Sequence, residues 1–339
     1  MTAPATAARD AWGRLAAARE LIEPQLRQAV GRLAQPVRTV ASYHFGWCDA
    51  DGGPAQAGWG KGLRGGLALA GAEAVGAPVA RAVPAAVAVE LVHNFTLLHD
   101  DVMDGDQTRR GRPTARAAFG DAQAILAGDA LLALAFDTVR EQPDAAAELC
   151  QVLLDLVAGQ SADVSFESCS TVELDACLAM AAGKTASLIG GACAAGALSG
   201  GADPTRVRGL AGFGRHLGMA FQLVDDMLGI WGDPAVTRKP VGADLRRRKK
   251  SLPVVFALGS GTPAGAELAA LYSIPVPLTD AQVDRAAALV EQAGGRDWAR
   301  READRQRAAA MERLASVRPE PAAAEALAGL AELAAHRDR

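Results

Sequence analysis

Four aspartates and three arginines lie within one short stretch of the sequence, LLHDDVMDGDQTRRGRPT, from Leu97 to Thr114. Asp100 and Asp104 are four residues apart, so on a helix their carboxylates face the same side, whereas Asp101 points about 100° away. Carboxylates this close repel one another unless a cation lies between them. Oxygen ligands select hard cations, and Mg²⁺ is the usual choice where the ion keeps waters and bridges to phosphate. The stretch therefore predicts a magnesium site, and the simpler alternative is a solvated acidic helix end.

A second acidic pair follows another apolar run, MAFQLVDDMLGIWGD. Asp225 and Asp226 lie in it, and Gln222 precedes Asp225 by about one helical turn and shares its face. Two such pairs predict two helices that face each other across a cavity. Metal ions held between such walls would bind a strongly anionic ligand.

Basic residues accompany both acidic pairs. Arg109 and Arg110 follow the first pair, and Lys61 and Arg64 are three residues apart, which predicts that they share one helical face. Further basic residues are Lys184, Lys239 and Lys249. Each one alone is more simply a solvated surface charge, but Lys and Arg side chains also suit phosphate oxygens. Together they predict a site for two polyphosphorylated substrates, one bridged by metal and one held by side-chain cations.

The elements that position these residues are predicted to be helices. Apolar residues recur at helical spacing in Ala11 to Arg32, Pro84 to Asp104, Asp121 to Val139 and Asp144 to Phe166. Aromatic residues are only 4% of the chain, and no stretch shows convincing strand alternation. The turn-forming stretches between these segments are too short to be linkers between domains. These observations predict an all-α fold in one domain, residues 1–339, with frayed ends.

Bulk composition excludes several classes of function. A net charge of −4 without a basic surplus argues against nucleic-acid binding. The five cysteines show no CxxC spacing, so neither a disulfide framework nor a zinc site is indicated. The first residues contain no apolar core of signal-peptide length, which predicts a cytoplasmic protein. The uncharged run Thr185 to Ala202 just reaches the length of a membrane span, but it is rich in small residues, so we expect two packed helix ends and no span.

Several motifs occur together in an order that resembles a known family. HDDVMDGDQTRRGRPT, GQSADVSFE, GKTASLI, FQLVDDML and KPVGADLRRRKKSLPVVFAL are similar to the motifs of the trans-isoprenyl diphosphate synthases, over Gly60 to Leu258. They are most similar to those of actinobacterial geranylgeranyl diphosphate synthases. The resemblance implies an isoprenoid synthase fold, with about a dozen helices around a central active-site cavity, in a homodimer. It also implies the reaction, in which an allylic diphosphate ionises, isopentenyl diphosphate attacks the cation, and a proton is lost.

The resemblance implies how the two diphosphates are held. Asp100 and Asp104 would bind two Mg²⁺ ions and Asp225 a third, all bridging the allylic diphosphate. Side chains implied to hold the substrates are Arg109, Lys184, Lys239 and Lys249 for the allylic diphosphate, and Lys61, Arg64, His93 and Arg110 for isopentenyl diphosphate.

The resemblance also implies how the carbocation is stabilised. The Lys184 carbonyl, Thr185 and Gln222 would face the cation and offer partial negative charge in a cavity from which water is excluded. The resemblance further implies residues that orient the binding side chains without contacting the ligands themselves: Asp101, Asp163, Asp226 and Gln160.

Two positions depart from the family pattern. Gly229 stands where the second motif, DDxxD, has its third Asp, which removes the i, i+4 partner of Asp225. One carboxylate and retained waters can still hold an ion there, so we expect activity to survive. Gly65 replaces the proline that commonly follows Arg64, while Lys61 and Arg64 remain.

Product length is set in this family by bulky residues just before the first motif. Phe95 is the fifth residue before Asp100, and Thr96 is the fourth. By the family's rule, this arrangement, without an insertion in DDVMD, resembles an enzyme that makes geranylgeranyl diphosphate, C20, from isopentenyl diphosphate and dimethylallyl, geranyl or farnesyl diphosphate. Farnesyl diphosphate, C15, is the nearest alternative product.

Two further alternatives have different functions. A class I terpene cyclase shares the fold and the metals but needs no second diphosphate site, so Lys61, Arg64 and Arg110 argue against it. A non-catalytic partner or cargo protein would keep the fold without the chemistry, and Gly229 keeps that alternative open. Similar actinobacterial proteins resemble cargo of encapsulin shells, and the sequence neither supports nor excludes such a shell partner.

Overall fold

Helices form almost all of the regular structure. The computed structural model describes residues 3–233, 241–274 and 276–335. In this part of the chain the helices are α1 (Ala3–Gly31), α2 (Val37–His44), α3 (Leu63–Ala74), α4 (Val83–Met103), α5 (Ala115–Phe119), α6 (Asp121–Thr138), α7 (Pro143–Ser168), α8 (Leu174–Ala181), α9 (Ser187–Gly200), α10 (Pro204–Trp231), α11 (Ala243–Arg246), α12 (Leu252–Leu258), α13 (Pro263–Tyr272), α14 (Asp280–Gln292), α15 (Gly295–Ser316) and α16 (Pro321–Ala335). A 3₁₀ turn, Val79–Ala82, precedes α4, and a π-helical turn, Ala182–Ala186, lies between α8 and α9. The predicted all-α class is confirmed.

The four helices predicted from apolar spacing are present as α1, α4, α6 and α7. Their bounds agree closely with the predicted ones, except that α1 begins at Ala3 rather than at Ala11. The agreement follows from the apolar faces of these helices, which make the helical period visible in the sequence.

A small β-hairpin contradicts the expectation of no strand. Strands β1 (Thr108–Arg109) and β2 (Arg112–Pro113) pair antiparallel directly after the first aspartate motif. Arg110 and Gly111 between them have φ values of 53° and 76°, which suits a type I′ hairpin turn. The prediction was wrong because Arg-Gly lacks the usual Asn-Gly or Asp-Gly signal of such turns.

The uncharged run after Lys184 also differs from its prediction. It forms the π-helical turn and then one helix, α9, instead of two packed helix ends. A Cβ on Gly196 would overlap the carbonyl of Ala68, so α9 lies directly against the backbone of α3. The small residues of this run therefore serve close helix packing.

Two compact units are distinguished by their internal packing. One comprises Met1–Leu153, Leu188–Gly212 and Arg313–Leu330, and the other comprises Leu154–Ser187, Phe213–Glu312 and Ala331–Arg339. The first unit has fully buried side chains on several helices, among them Ile22, Leu26, Leu67, Leu91 and Leu131. The second unit has one buried cluster around Ile230, Leu245 and Leu289 and another around Cys177, Leu223 and Leu252. That the chain is one domain stays a prediction.

Two helical segments in the described part of the chain are long and apolar enough to cross a membrane. They are Val79–Met103 and Leu174–Gly200, and a third would arise if the bent pair α12 and α13 were counted as one span. In each of the two segments, 67% of the most apolar window is buried inside the fold. The expected absence of a membrane span stays a prediction.

Candidate active site

The first aspartate motif lies at the C-terminal end of α4. Asp104 caps this helix, and its N–H donates a hydrogen bond of 2.8 Å to the carbonyl of Asp100. Both residues therefore keep the helical relation that the sequence predicts. Asp100 is partly buried and Asp104 is exposed, so a cation can reach this helix end from solvent.

The carboxylate between them is buried against an arginine. Asp101 is only 1% exposed, and its Oδ1 accepts hydrogen bonds from Nε and Nη2 of Arg109 at 2.8 and 2.7 Å. Burial raises the pKa of Asp101, and the Arg109 guanidinium opposes that rise. The second oxygen, Oδ2, is buried and has no hydrogen-bond partner. Asp101 therefore orients Arg109 and keeps one acceptor available for a donor that arrives with a ligand.

A cluster of cationic and neutral basic side chains lies in the same unit. Nη1 of Arg64 is 3.2 Å from Nε2 of His93. Burial and then the neighbouring Arg64 and Arg110 lower the pKa of His93 well below its usual value, so the ring is neutral at pH 7. Burial and the charge of Arg109 lower the pKa of Arg110 to about 10, so this side chain stays cationic. Several positively charged arginines that lie close together and are partly buried favour the binding of an anion.

Glu90 is a buried counter-charge that sequence reasoning missed. It is 2% exposed, and burial raises its pKa, while its Oε1 accepts a hydrogen bond of 2.7 Å from the N–H of Gly65. The proline that is common at this position in the family has no N–H and could not make this contact. A Cβ on Gly65 would also lie 2.5 Å from Cδ1 of Ile22. The signal in the sequence is Glu90 itself, the single charge in the apolar run VPAAVAVELV.

The amide of Asn94 extends this network. Its Nδ2 donates to the carbonyl of Glu90 at 2.8 Å, and its Oδ1 is 3.2 Å from Nε2 of His44. Burial, followed by the charges of Arg110 and Arg109, lowers the pKa of His44 to about 3. His44 and His93 are therefore both neutral beside the arginine cluster.

Lys61 does not share a helical face with Arg64, so that prediction was wrong. Gly62 adopts a left-handed conformation, with φ of 68°, and α3 begins only at Leu63. The Lys61 ammonium instead lies 4.9 Å from the ring centre of Trp12, at cation–π distance.

The two residues predicted to control product length lie on α4 near the first motif. Phe95 is buried and packs edge-on against His99, with ring centroids 4.7 Å apart. His99 Nε2 is 3.1 Å from the carbonyl of Ile125 on α6, and a Cβ on Gly128 would overlap its ring. Thr96 turns its hydroxyl back to the His93 carbonyl at 2.8 Å. The orientation of Phe95 thus depends on how closely α6 approaches α4.

The GKT motif of the second unit lies in the π-helical turn. Two glycines, one on α7 and one on α10, allow these helices to approach the turn closely. A Cβ on Gly159 of α7 would lie 2.7 Å from the carbonyl carbon of Gly183, and a Cβ on Gly218 of α10 would lie 2.5 Å from Cα of Ala186. Both glycines precede a polar residue of the site by four positions, which is about one helical turn. The polar side chains brought to this turn are Asp163 on α7, one turn beyond Gln160, and Gln222 on α10.

These polar residues form direct bonds to the GKT motif. Nζ of Lys184 donates to Oδ2 of Asp163 at 2.7 Å. The Thr185 hydroxyl donates to Oε1 of Gln222 at 2.6 Å. The amide of Gln222 in turn donates to Oδ1 of Asp226 at 2.7 Å. Gln222 and Asp225 lie three residues apart on α10, as the sequence predicts, but this side-chain bond goes to Asp226.

Asp226 is a buried structural carboxylate, whereas Asp225 is exposed. The Leu252 N–H donates to Oδ2 of Asp226 at 2.9 Å, which fixes the start of α12 against α10. Burial raises the pKa of Asp226 to about 6, and the nearby charge of Lys249 opposes that rise. Burial also acts to lower the pKa of Lys249, but Asp226 and Asp244 outweigh it and raise that pKa. Lys239 lies outside the described residues.

The residues of the first motif fit a divalent metal ion of the kind that the sequence predicts. They offer carboxylate oxygens, the ligands of hard cations, and the orphaned Oδ2 of Asp101 can accept from a metal-bound water. Among the described residues no group of three or more His, Cys, Asp or Glu side chains is arranged to hold a metal by itself. A bound ion would therefore complete its coordination with waters and oxygens of a ligand.

Comparison with known proteins decides the family. The sequence pattern of the polyprenyl synthetases matches residues 55–290. The chain belongs to the polyprenyl synthetase family. It is 48% identical over 321 residues to a geranylgeranyl diphosphate synthase of Mycobacterium tuberculosis, covering 93% of this chain and 91% of that protein. It is 47% identical over 299 residues to a (2E,6E)-farnesyl diphosphate synthase of the same organism, covering 86% and 83%.

A solved polyprenyl synthetase from Streptomyces coelicolor has the same fold. It superposes with a TM-score of 0.92 at 45% identity, over 95% of this chain and 98% of that one. This polyprenyl synthetase is therefore a short-chain trans-prenyl diphosphate synthase, an enzyme of isoprenoid biosynthesis. Because similar relatives carry both the farnesyl and the geranylgeranyl name, the family does not decide the length of its product.

Proposed function

We propose that this enzyme condenses isopentenyl diphosphate with allylic diphosphates to give geranylgeranyl diphosphate. The observation that carries the proposal is the pairing of Arg64 with neutral His93 beside Arg110 in the first unit. Three features make it a preformed diphosphate site: two guanidinium groups, a neutral ring that can donate a hydrogen bond, and partial burial. A synthase needs such a site for its second substrate, whereas a terpene cyclase does not.

The allylic diphosphate is proposed to bind at Asp100, Asp104 and Asp225 with three Mg²⁺ ions. When bound, these ions neutralise charge on the leaving diphosphate. Arg109, fixed by Asp101, and Lys184, fixed by Asp163, add preorganised positive charge that needs little reorientation as the C–O bond breaks. Further cations assigned to this substrate are Lys249 and Lys239.

The carbocation is proposed to lie beside the oxygen dipoles of the GKT turn. The Gln222 amide donates to Asp226 and its oxygen accepts from Thr185, so both groups are held in one orientation. Fixed dipoles stabilise a transient cation without reorganising during the reaction. The lost proton is proposed to leave with the diphosphate, which is the strongest base released in the step.

Four features support the remaining parts of the proposal. Buried Phe95 beside small Thr96 resembles the C20 arrangement, with farnesyl diphosphate as the second candidate. The exposed apolar residues Ile125 and Leu126 on α6 support a homodimer. Burial of most residues in the two long apolar segments supports a protein without membrane spans. The net charge of −4, without a basic surplus, supports an enzyme without a nucleic-acid partner.

The decisive experiment incubates the purified protein with isopentenyl diphosphate, Mg²⁺ and, separately, C5, C10 and C15 allylic diphosphates. The expected result is a C20 diphosphate from each primer, identified by mass spectrometry. A product that stops at C15 would favour the farnesyl alternative. Hydrocarbon or alcohol released without isopentenyl diphosphate would indicate a cyclase, and no turnover with any primer would indicate a non-catalytic protein.

A further inference from the structure

Gly229 is not an empty position in the second aspartate motif. A Cβ placed on it would lie 2.5 Å from Cγ of Asp244 and closer still to Oδ2. Carbon atoms in ordinary contact are separated by about 3.5–4.0 Å, so no side chain fits there while Asp244 keeps its position. The carboxylate of Asp244 therefore fills the space in which a side chain at position 229 would begin.

Asp244 is held in this place by its own helix, α11. The neighbouring Leu245 is fully buried in one cluster with Ile230 of α10, which anchors α11 beside the end of α10. On the other side, Nη1 of Arg246 donates to the Leu278 carbonyl at 3.3 Å. The carboxylate is therefore positioned by the contacts of the two residues that follow it in α11.

Asp244 also lies in the same charged surroundings as the motif. The charges of Asp225 and Asp244 both act on Lys249. Asp225 and Gly229 are four residues apart on α10, so they share one helical face. A third aspartate of the motif would project from that face, and the Asp244 carboxylate already lies against it.

We propose that Asp244 replaces the missing third aspartate of the second motif and, with Asp225, binds a Mg²⁺ ion. This inference rests on the proposed function, because the ion is expected to bind only with a diphosphate. Gly229 then makes room for a carboxylate supplied from another helix. Restoring the motif by Gly229→Asp should damage the site instead of repairing it, since two carboxylates would occupy one space.

The test measures Mn²⁺ binding by electron paramagnetic resonance, with inorganic diphosphate as the probe ligand. The wild-type protein should bind three Mn²⁺ ions per chain when diphosphate is present. Asp244→Asn, which keeps the shape of the side chain, should weaken the binding of one ion by about 10–100-fold. The matched control is Asp280→Asn, which removes an exposed carboxylate paired with Arg246 at 2.6 Å and should leave all three ions unchanged.

Two further variants test whether a side chain at position 229 and the Asp244 carboxylate compete for the same space, or whether only the number of carboxylates matters. Gly229→Asp should weaken Mn²⁺ binding, and the double variant Gly229→Asp, Asp244→Ala should regain most of it. Unchanged binding in Asp244→Asn, or tighter binding in Gly229→Asp, would overturn the inference while leaving the proposed function intact. Wild-type protein that binds no Mn²⁺ with diphosphate overturns both. Thermal unfolding checks each fold, and if Gly229→Asp does not fold, Asp244→Asn alone decides.

Discussion

Arg109 directs two nitrogens at a single oxygen of Asp101, Nε at 2.8 Å and Nη2 at 2.7 Å, while the other carboxylate oxygen is buried without a partner. The pair therefore holds the guanidinium in place and leaves an acceptor for a ligand-bound donor. Breaking a buried pair leaves an uncompensated charge, which costs more than losing an exposed pair.

We expect Asp101→Asn to lower the free energy of unfolding by about 3 kcal/mol, because Arg109 would remain partly buried beside a neutral amide. Urea unfolding followed by circular dichroism measures this loss. The control Glu267→Gln removes an exposed pair with Arg285 and should cost less than about 1 kcal/mol. Equal losses in the two variants would show that Asp101 has no special structural role.

Asp100→Ala should lower turnover by several orders of magnitude with little change in the fold, since it removes a carboxylate proposed to bind metal at a partly exposed helix end. Steady-state kinetics with isopentenyl and farnesyl diphosphates measure the effect, and thermal unfolding checks the fold. Asp144→Ala removes an exposed carboxylate at the start of α7 and should leave turnover unchanged. A near-normal rate in Asp100→Ala would contradict the metal assignment.

Arg110→Gln should raise the KM for isopentenyl diphosphate about tenfold or more, because a charge-assisted contact to the diphosphate is lost. Its stability should not fall, since the change relieves repulsion with Arg109. Arg112→Gln provides the contrast: this side chain donates to the carbonyls of Tyr43 and Cys48 at 3.3 and 2.9 Å, so its loss should lower stability. The assignment fails if Arg110→Gln binds isopentenyl diphosphate normally.

The free energy of unfolding should fall as pH drops from about 6.5 towards 3. Burial lowers the pKa of His44 to about 3, so in this range the unfolded chain binds a proton that the folded protein does not. One such proton changes stability by about 1.4 kcal/mol per pH unit, and His93 acts in the same direction. The free energy of unfolding, measured by urea unfolding at pH 7, 6 and 5, should fall less steeply with decreasing pH in His44→Gln than in the wild type. Identical slopes would mean that His44 does not titrate as described.

Phe95→Ala should lengthen the product, because the buried ring is proposed to close the floor of the pocket. Thr96→Phe should shorten it towards C15, since it adds an aromatic ring one residue closer to the motif. Chain lengths are compared by mass spectrometry after phosphatase treatment. An unchanged product in both variants would remove these residues from the control of chain length.

Much of the fold was predictable because helical periodicity is local. The apolar faces of α4, α6 and α7 repeat at helical spacing, so their existence and approximate bounds follow from the sequence. The hairpin at Arg110 was missed because its turn depends on two positive φ values without the usual turn residues. The face assigned to Lys61 was wrong because the left-handed Gly62 delays the start of α3.

The candidate site, like the fold, was only partly predictable from the sequence. Spacing alone predicted that Asp100 and Asp104 share a face, because residues four apart on a helix do so whatever surrounds them, whereas the roles of the other motifs came from the family resemblance. Spacing could not predict that Gln222 bonds Asp226, because that choice depends on the Thr185 hydroxyl brought to it by another helix.

The sequence itself determined which side chains are present for this chemistry, namely two acidic motifs and the basic residues that accompany them. Only the tertiary structure decided which distant residues contact these motifs, such as Glu90 at Gly65 and Asp244 against Gly229. The reason is physical. Periodicity and motif spacing describe neighbours along one helix, whereas burial and the partners of a charge arise when distant segments pack together.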